Sequence, residues 1–335
     1  DAPLGSLEVH VGGHPLPRRD ADVAGRRVAQ LAQTLTSSDT ALVLMSGGAS
    51  AMLEWPMEGV SIELLQSITE TLQHASAPIE DLNSVRRALS RLKGGKLATL
   101  MHPARIVNIV LSDVPGSPPS IVGSGPTCWA PMAHPNADAV RILKDHDLWA
   151  ALPDGVRKTL STAPEREPEA PSPTTIVAAD NPSARRAMVQ HASERGLRAI
   201  DGGNMVRGEA SKAGAEFVRD AHRQDADVII GGGETTVTVR GKGRGGRNQE
   251  FVLGATQLLG SGLVASMGTD GIDGNSHAAG ALIDPFALQK AQNAALDPDL
   301  FLSENNSEAY FRETGTALIT GPTGTNVADL CLFLR

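Results

Sequence analysis

Residues 231–251 read GGGETTVTVRGKGRGGRNQEF. The three glycines follow the apolar run Asp227-Val228-Ile229-Ile230. That pattern predicts a strand running into a tight turn, where glycine frees φ and lets a second group come close. Thr235–Arg240 alternates threonine with valine, the pattern of a second strand. Gly241–Arg247 is a loop of glycines and cations, and Asn248-Gln249-Glu250-Phe251 leads into the apolar, helix-like Val252–Leu259. One short segment therefore offers a carboxylate (Glu234), a flexible cationic loop and the pair Arg247-Asn248 at a helix start, equipment suited to a polyanion. A β-hairpin with a solvated basic tip fits the same spacing equally well.

Outward from this centre the chain alternates strands and helices. Upstream lie a strand over Thr174–Ala178, a helix over Asn181–Arg195, a short strand over Leu197–Ile200 and a helix over Gly208–Arg223. Downstream, the strand Leu263–Met267 ends at Gly268-Thr269-Asp270-Gly271-Ile272-Asp273-Gly274. Two carboxylates in a glycine-rich loop suit a divalent cation, and an Asp-Gly turn is the alternative. Ala317–Ile319 leads to a small polar loop, Thr320–Val327, and a short apolar C-terminus. Residues 163–173, rich in proline and charge, read as a linker.

Before that linker, Ala24–Leu35 has helical spacing, and Thr40–Met45 (TALVLM) reads as a strand buried on both faces, as in a parallel sheet. It stops at Ser46-Gly47-Gly48-Ala49-Ser50 ahead of an apolar helix start, a unit that aims backbone N–H groups at a ligand. Ser61–Ala75 reads as a helix capped by Ser61. A helix over Val85–Leu92 carries Arg86, Arg87 and Arg91, with Lys93 beside Gly94-Gly95. Such a charge run is a solvated face or an anion site; it is no Walker A loop, because Lys96 precedes Leu97. Ala104–Leu111 is the clearest buried strand, and Asp113 follows its end, where open α/β sheets bind ligands; turn chemistry explains that Asp as well. The fold class is α/β, with two α/β domains, largely parallel sheets, and boundaries at 1–165 and 172–335.

Aromatics are 3% of the 335 residues, so the core must be built from aliphatics. A net charge of −8 argues against a general nucleic-acid binder and leaves room for a local cationic pocket. Two cysteines without metal-ligand spacing fit a reducing cytoplasm. No apolar run approaches the roughly 20 residues that cross a bilayer, so no membrane partner is expected. The chain starts at Asp1 without a signal-peptide pattern, as a fragment or processed chain would. Neither G-x-S-x-G nor H-E-x-x-H occurs, which argues against a hydrolase.

GGGETT followed by GGRNQEF resembles the signature of the C-terminal domain of the glycerate 2-kinase family, the MOFRL-type glycerate kinases, some of which carry the older name hydroxypyruvate reductase. SGGAS (46–50), NSVRRALSRLKGGKLA (83–98), SDVPG (112–116), GSGPT (123–127), GTDGIDG (268–274) and TGPTGTNV (320–327) resemble the family's other blocks, in the family's order. The resemblance implies a Rossmann-like N-terminal domain, a MOFRL-type C-terminal domain and a cleft between them. It implies transfer of the γ-phosphoryl group of ATP, with Mg²⁺, to the 2-hydroxyl of D-glycerate, giving 2-phosphoglycerate, and it leaves a homo-oligomer open. By analogy Arg247 stabilises the transferring phosphoryl group, while Asp113 and Asp270 serve the metal or the hydroxyl proton. Glu234, Asn248 and Asn326 complete that site, and Gly47, Gly48, Ser50, Arg86 and Lys93 bind substrate or nucleotide.

The family also carries a catalytic lysine in a Gly-Lys-Ala-type segment upstream of the first block, before the point where this sequence starts. Ala49, Ala88, Ser117 and Asn275-Ser276-His277 depart from the usual residues, the last beside Asp273. Two rival functions stand. One is an NAD(P)H-dependent hydroxypyruvate reductase, for which Gly241, Gly243 and Gly246 supply a weak G-x-G-x-x-G match without the expected downstream acid. The other is an inactive homologue that binds ligand without turnover.

Overall fold

The computed structural model describes residues 7–335 except 15, 76, 115, 118–119, 129–134 and 163–171. Most of the linker over 163–173 lies outside the described residues. The chain divides into two compact units, one of residues 1–110 and 117–178, the other of 111–116 and 179–335.

The first unit is built on a three-stranded sheet of β1 (Thr40–Met45), β2 (Arg105–Leu111) and β3 (Thr174–Ala179), in that order, with β1 and β2 parallel. Ala41 and Val43 face inward, onto a cluster that holds Ile106, Leu97 and Leu92. The outward residues Leu42 and Leu44 are 61% and 71% exposed, so β1 is not the doubly buried strand its composition predicts. An unbroken apolar run reports two apolar faces, and among the described residues only one of them is covered. A second cluster, with Leu65, Leu72, Leu89 and Leu143 at its centre, lies among helices. One of these, Ile62–His74, has the predicted cap: the Ser61 hydroxyl accepts from the Leu64 amide at 3.1 Å.

The described residues of the second unit form six strands: β4 (Ala199–Glu209), β5 (Val228–Thr236), β6 (Leu263–Gly268), β7 (Gly280–Ile283), β8 (Ala317–Leu318) and β9 (Asp329–Leu334). Their order is β4-β5-β9-β6-β7-β8. Among the described residues of this unit only β4 and β5 pair in parallel and every other pairing is antiparallel, which corrects the expectation of largely parallel sheets for this unit alone. The reason lies in the connections. From β6 to β7 the chain has only a loop, so it must turn straight back. The short apolar C-terminus inserts between β5 and β6 as the central strand β9.

The glycine triplet does not turn either. β5 runs through Gly231-Gly232-Gly233 to Thr236 as one strand. A Cβ at Gly231 would lie 2.8 Å from the Phe217 ring, and one at Gly233 would lie 2.2 Å from the Val206 carbonyl oxygen. Glycine serves close packing inside a strand here, not a bend.

Candidate active site

The second unit's site grows from strand ends. β5 and β6 both pair antiparallel with β9, so their C-terminal ends meet the start of β9 at one end of the strands. Asp329, the first residue of β9, is paired across from Gly233 on one side and Gly268 on the other. Asn181, at the start of the helix Asn181–Glu194, donates from its amide to the carbonyls of Val327 and Asp329, both at 2.9 Å. A side chain at position 232 would strike that amide, with its Cβ 2.1 Å from Asn181 Oδ1. Asp329 is thus fixed on three sides before its carboxylate acts.

That carboxylate grips Arg247, the first residue of the helix Arg247–Ala255. Arg247 Nε lies 2.6 Å from Asp329 Oδ2, and Nη2 donates to Oδ1 at 3.1 Å, a two-pronged fork. Its third nitrogen, Nη1, donates to Glu234 at 2.6 Å. Burial pushes the Asp329 carboxyl up to about 6, against the pull of Arg247. Arg247 is one third exposed and Glu234 half exposed, so the guanidinium stands at the surface of a buried clamp.

Asn248 joins this clamp to the helix start. Its side-chain amide donates to Asp329 Oδ1 at 3.0 Å and its carbonyl accepts from the Ser266 hydroxyl at 2.6 Å. The backbone amides of Asn248 and Gln249 donate to the two oxygens of Asp273, each at 2.9 Å. Asp273 therefore caps this helix from a distant loop, although burial raises its pKa. The helix N-terminus is already occupied by a carboxylate and does not face a ligand anion at those positions.

The cationic loop differs from its expected flexibility. The amides of Arg240 and Gly241 donate to Asn305 Oδ1, that of Gly243 to the Glu304 carbonyl, that of Arg244 to Asn306 and that of Gly245 to Asn275. Its glycines permit this stitching: a Cβ at Gly243 would lie 2.6 Å from Asn306 Cα, and one at Gly241 would lie 2.2 Å from the Glu304 carbonyl oxygen. Asn275 and His277, two of the departures from the family pattern, belong to the stitching, because Arg244 bonds to the carbonyl of the first and the ring of the second.

Asp270 shapes its own turn, with Oδ1 accepting from the Ile272 amide at 3.0 Å. The Thr323 amide donates to the Asp270 carbonyl, which laces the 268–274 loop to the 320–327 loop. In the latter, Asn326 Oδ1 accepts from the amide of Ala328, whose φ is +65°. Arg247 and Asp270 both line a pocket of about 700 Å³. Asp113 is half-buried, in the 111–116 segment that belongs to this unit. Among the described residues no group of three or more His, Cys, Asp or Glu side chains is placed to hold a metal.

In the first unit three blocks converge. The Ser50 hydroxyl is 2.8 Å from that of Ser124, which donates to Asn83 at 2.8 Å. The amides of Gly94 and Gly95 donate to the carbonyls of Ser124 and Gly125. Gly48 has φ +82°, and Gly47 beside it is half-buried. Arg87 holds the 120–124 loop through the carbonyls of Ser120 and Ser124. Lys93 is 1% exposed and ion-paired with the equally buried Glu54. Burial lowers its pKa and Glu54 raises it, with burial the stronger. Arg86 is a half-buried cation of this cluster, its pKa lowered by burial.

Sequence reasoning missed Asp329. The available signal was slight: it is the one acidic residue between Thr320 and the C-terminus, three places after Asn326.

Residues 227–329 match the MOFRL family, and residues 1–161 match a domain of unknown function, DUF4147. Over 100% of its length the chain is 35% identical to a D-glycerate 2-kinase of Thermotoga maritima, 81% of which it covers. It is also 35% identical to a putative hydroxypyruvate reductase of Agrobacterium vitis, over 99% of this chain and 89% of that one. The crystal structure of a glycerate kinase from Thermotoga maritima superposes with a TM-score of 0.90 at 34% identity, over 100% of this chain and 82% of the other. With two family blocks matched and relatives covered over most of their length, the chain belongs to the MOFRL-type glycerate 2-kinase family, a family of kinases.

Proposed function

We propose that this protein transfers the γ-phosphoryl group of ATP to the 2-hydroxyl of D-glycerate, giving 2-phosphoglycerate. The observation that carries the reading is the clamp on Arg247. Phosphoryl transfer is catalysed chiefly by positioned charge, and an arginine held by a two-pronged carboxylate meets the developing charge without reorganising. Glu234, on the exposed side, holds Nη1 in the resting protein and is the partner that a phosphoryl oxygen displaces. Asp329 keeps its grip throughout and is a positioning residue, as are Asn248 and Asn326. Asp113 and Asp270 would hold Mg²⁺, which would neutralise phosphate charge, or would take the hydroxyl proton. In the first unit, Arg86 and the Gly47–Ser50 turn bind an anionic ligand, and Lys93 sets the shape of that segment from the interior.

The reductase reading finds less support. The amides of the G-x-G-x-x-G segment that would cradle a pyrophosphate are bonded to Asn305, Asn306, Asn275 and Glu304. Asp273 takes the amides of the helix behind them.

The test is ADP release from ATP, D-glycerate and Mg²⁺, with the phosphate position read by phosphorus–proton coupling in NMR. ADP release with the phosphate on C2 is expected. Oxidation of NADH by hydroxypyruvate at enzymatic rates, without ADP release, would overturn the proposal.

A further inference from the structure

We propose that the pocket beside Arg247 receives the nucleoside end of the phosphoryl donor, its base and ribose, with the phosphates beginning at the Arg247 and Asp270 edge. The inference rests on the kinase reading above and deepens it.

The size of the pocket comes first. At about 700 Å³ it falls in the middle of the range of roughly 300–1,000 Å³ that holds drug-sized ligands, and a three-carbon acid would leave most of it empty. The walls come next. Val237, Val239 and Ile272 line it, and the last two are 76% and 52% exposed. Two branched aliphatic side chains left open to solvent on facing loops make a shelf for a flat apolar surface such as a nucleobase.

The polar lining decides which end of the nucleotide enters. Its cation is Arg247, already shared between Asp329 and Glu234, and its accessible carboxylate is the half-buried Asp270; Asp273 and Glu250 are buried and accept from Asn248, Gln249 and Asn305. The loop amides that would otherwise receive a phosphate are bonded within the protein. Away from the Arg247 and Asp270 edge, a triphosphate or the carboxylate of glycerate would lose hydration against the aliphatic side chains. A nucleobase presents a flat, uncharged face that suits Val237, Val239 and Ile272. Arg247 and Asp270 mark the edge of that shelf, and the phosphates begin there.

Binding of ATP, adenosine and inorganic tripolyphosphate to the full chain, measured by calorimetry, tests this directly, with Val239→Asp, Ile272→Asp and the milder Ile272→Ala as variants. Adenosine is expected to compete with ATP. The aspartate variants should weaken adenosine and ATP about tenfold or more, since they put a charge against the base. Ile272→Ala should weaken both by a smaller factor, and tripolyphosphate binding and the KM for D-glycerate should not move. The inference is overturned if ATP binds while adenosine fails to compete, or if the variants weaken tripolyphosphate or glycerate in place of adenosine. Wild-type protein that binds no nucleotide and releases no ADP would sink the kinase reading itself.

Discussion

Arg247 and Asp329 show how one pair ties stability to chemistry. Removing the guanidinium leaves a carboxylate that is 5% exposed with Asn248 as its remaining side-chain donor. Arg247→Ala is therefore expected to lower turnover by about 10²–10³, the usual cost of a lost charge-stabilising group. It should also destabilise the fold by a few kcal/mol, the cost of breaking a buried pair, in the range of about 3–5 kcal/mol. The stability loss should shrink as pH falls below 6, where Asp329 takes up a proton and no longer needs its partner. Urea melts at pH 5 and pH 8 check this; an equal loss at both would show that the pair is not the cause. The same carboxyl should set a pH limb. Its folded pKa of about 6 lies above the ordinary 3.8, so the folded state holds the proton more tightly. Its contribution favours folding below 3.8 and is lost as pH rises through 6. Activity has the opposite sign, because only the ionised form grips Arg247. Turnover should fall as pH drops through about 6, and Asp329→Asn should flatten that limb.

At the scale of elements, glycine acts mainly through contact. The helices Ala210–Ala221 and Arg247–Ala255 cross at two reciprocal points. A Cβ at Gly214 would lie 1.8 Å from the Phe251 carbonyl oxygen, and one at Gly254 would lie 2.1 Å from that of Ser211. Gly214→Ala must push the second helix away, and with it the Arg247 clamp at its start. A loss of about 1–3 kcal/mol is expected, together with reduced turnover. Gly196→Ala is the control: nothing lies within 4 Å, and only its φ of +80° resists a side chain. It should cost about 1 kcal/mol and leave turnover alone. Thermal melts paired with rates separate the two cases, and equal effects on turnover would refute the argument. The loop over 240–246 belongs to the same scale. Its cations suggested a mobile arm, but Asn305, Asn306 and Asn275 hold its amides in place.

At the scale of the molecule, each unit has its own buried thiol. Cys128 lies in the first unit at 9% exposure and Cys331 in the second at 2%. Cys331 sits in β9 opposite Gly231, within the core formed by Phe333, Phe251 and Val264, and burial raises its pKa. Neither thiol should react with a disulfide reagent in the native protein on the timescale in which the denatured chain reacts fully. Mass spectrometry after labelling in rising urea then reports the opening of each unit separately. Rapid native labelling of Cys331 would contradict a sealed second core. No helix of the described residues is long and apolar enough to cross a membrane.

By itself the sequence determined the α/β class, most strands and helices, the Ser61 cap and the family, because these rest on local periodicity and on ordered blocks. It brought Arg247, Asn248, Glu234 and Asp270 into view, because polar residues beside glycines mark loops at strand ends. Tertiary structure alone decided the rest. β9 lies between β5 and β6 because strand order depends on which edges meet in space, which no spacing along the chain encodes. The triplet at 231–233 is strand rather than turn because Phe217, Asn181 and Val206 press on it from elsewhere in the unit. Asp273 caps a helix that starts more than twenty residues upstream, and Asp329 reaches across 82 residues to Arg247. A carboxylate looks the same in sequence whether it turns a loop, caps a helix or aims an arginine; only its partners, assembled by the fold, give it one of those roles.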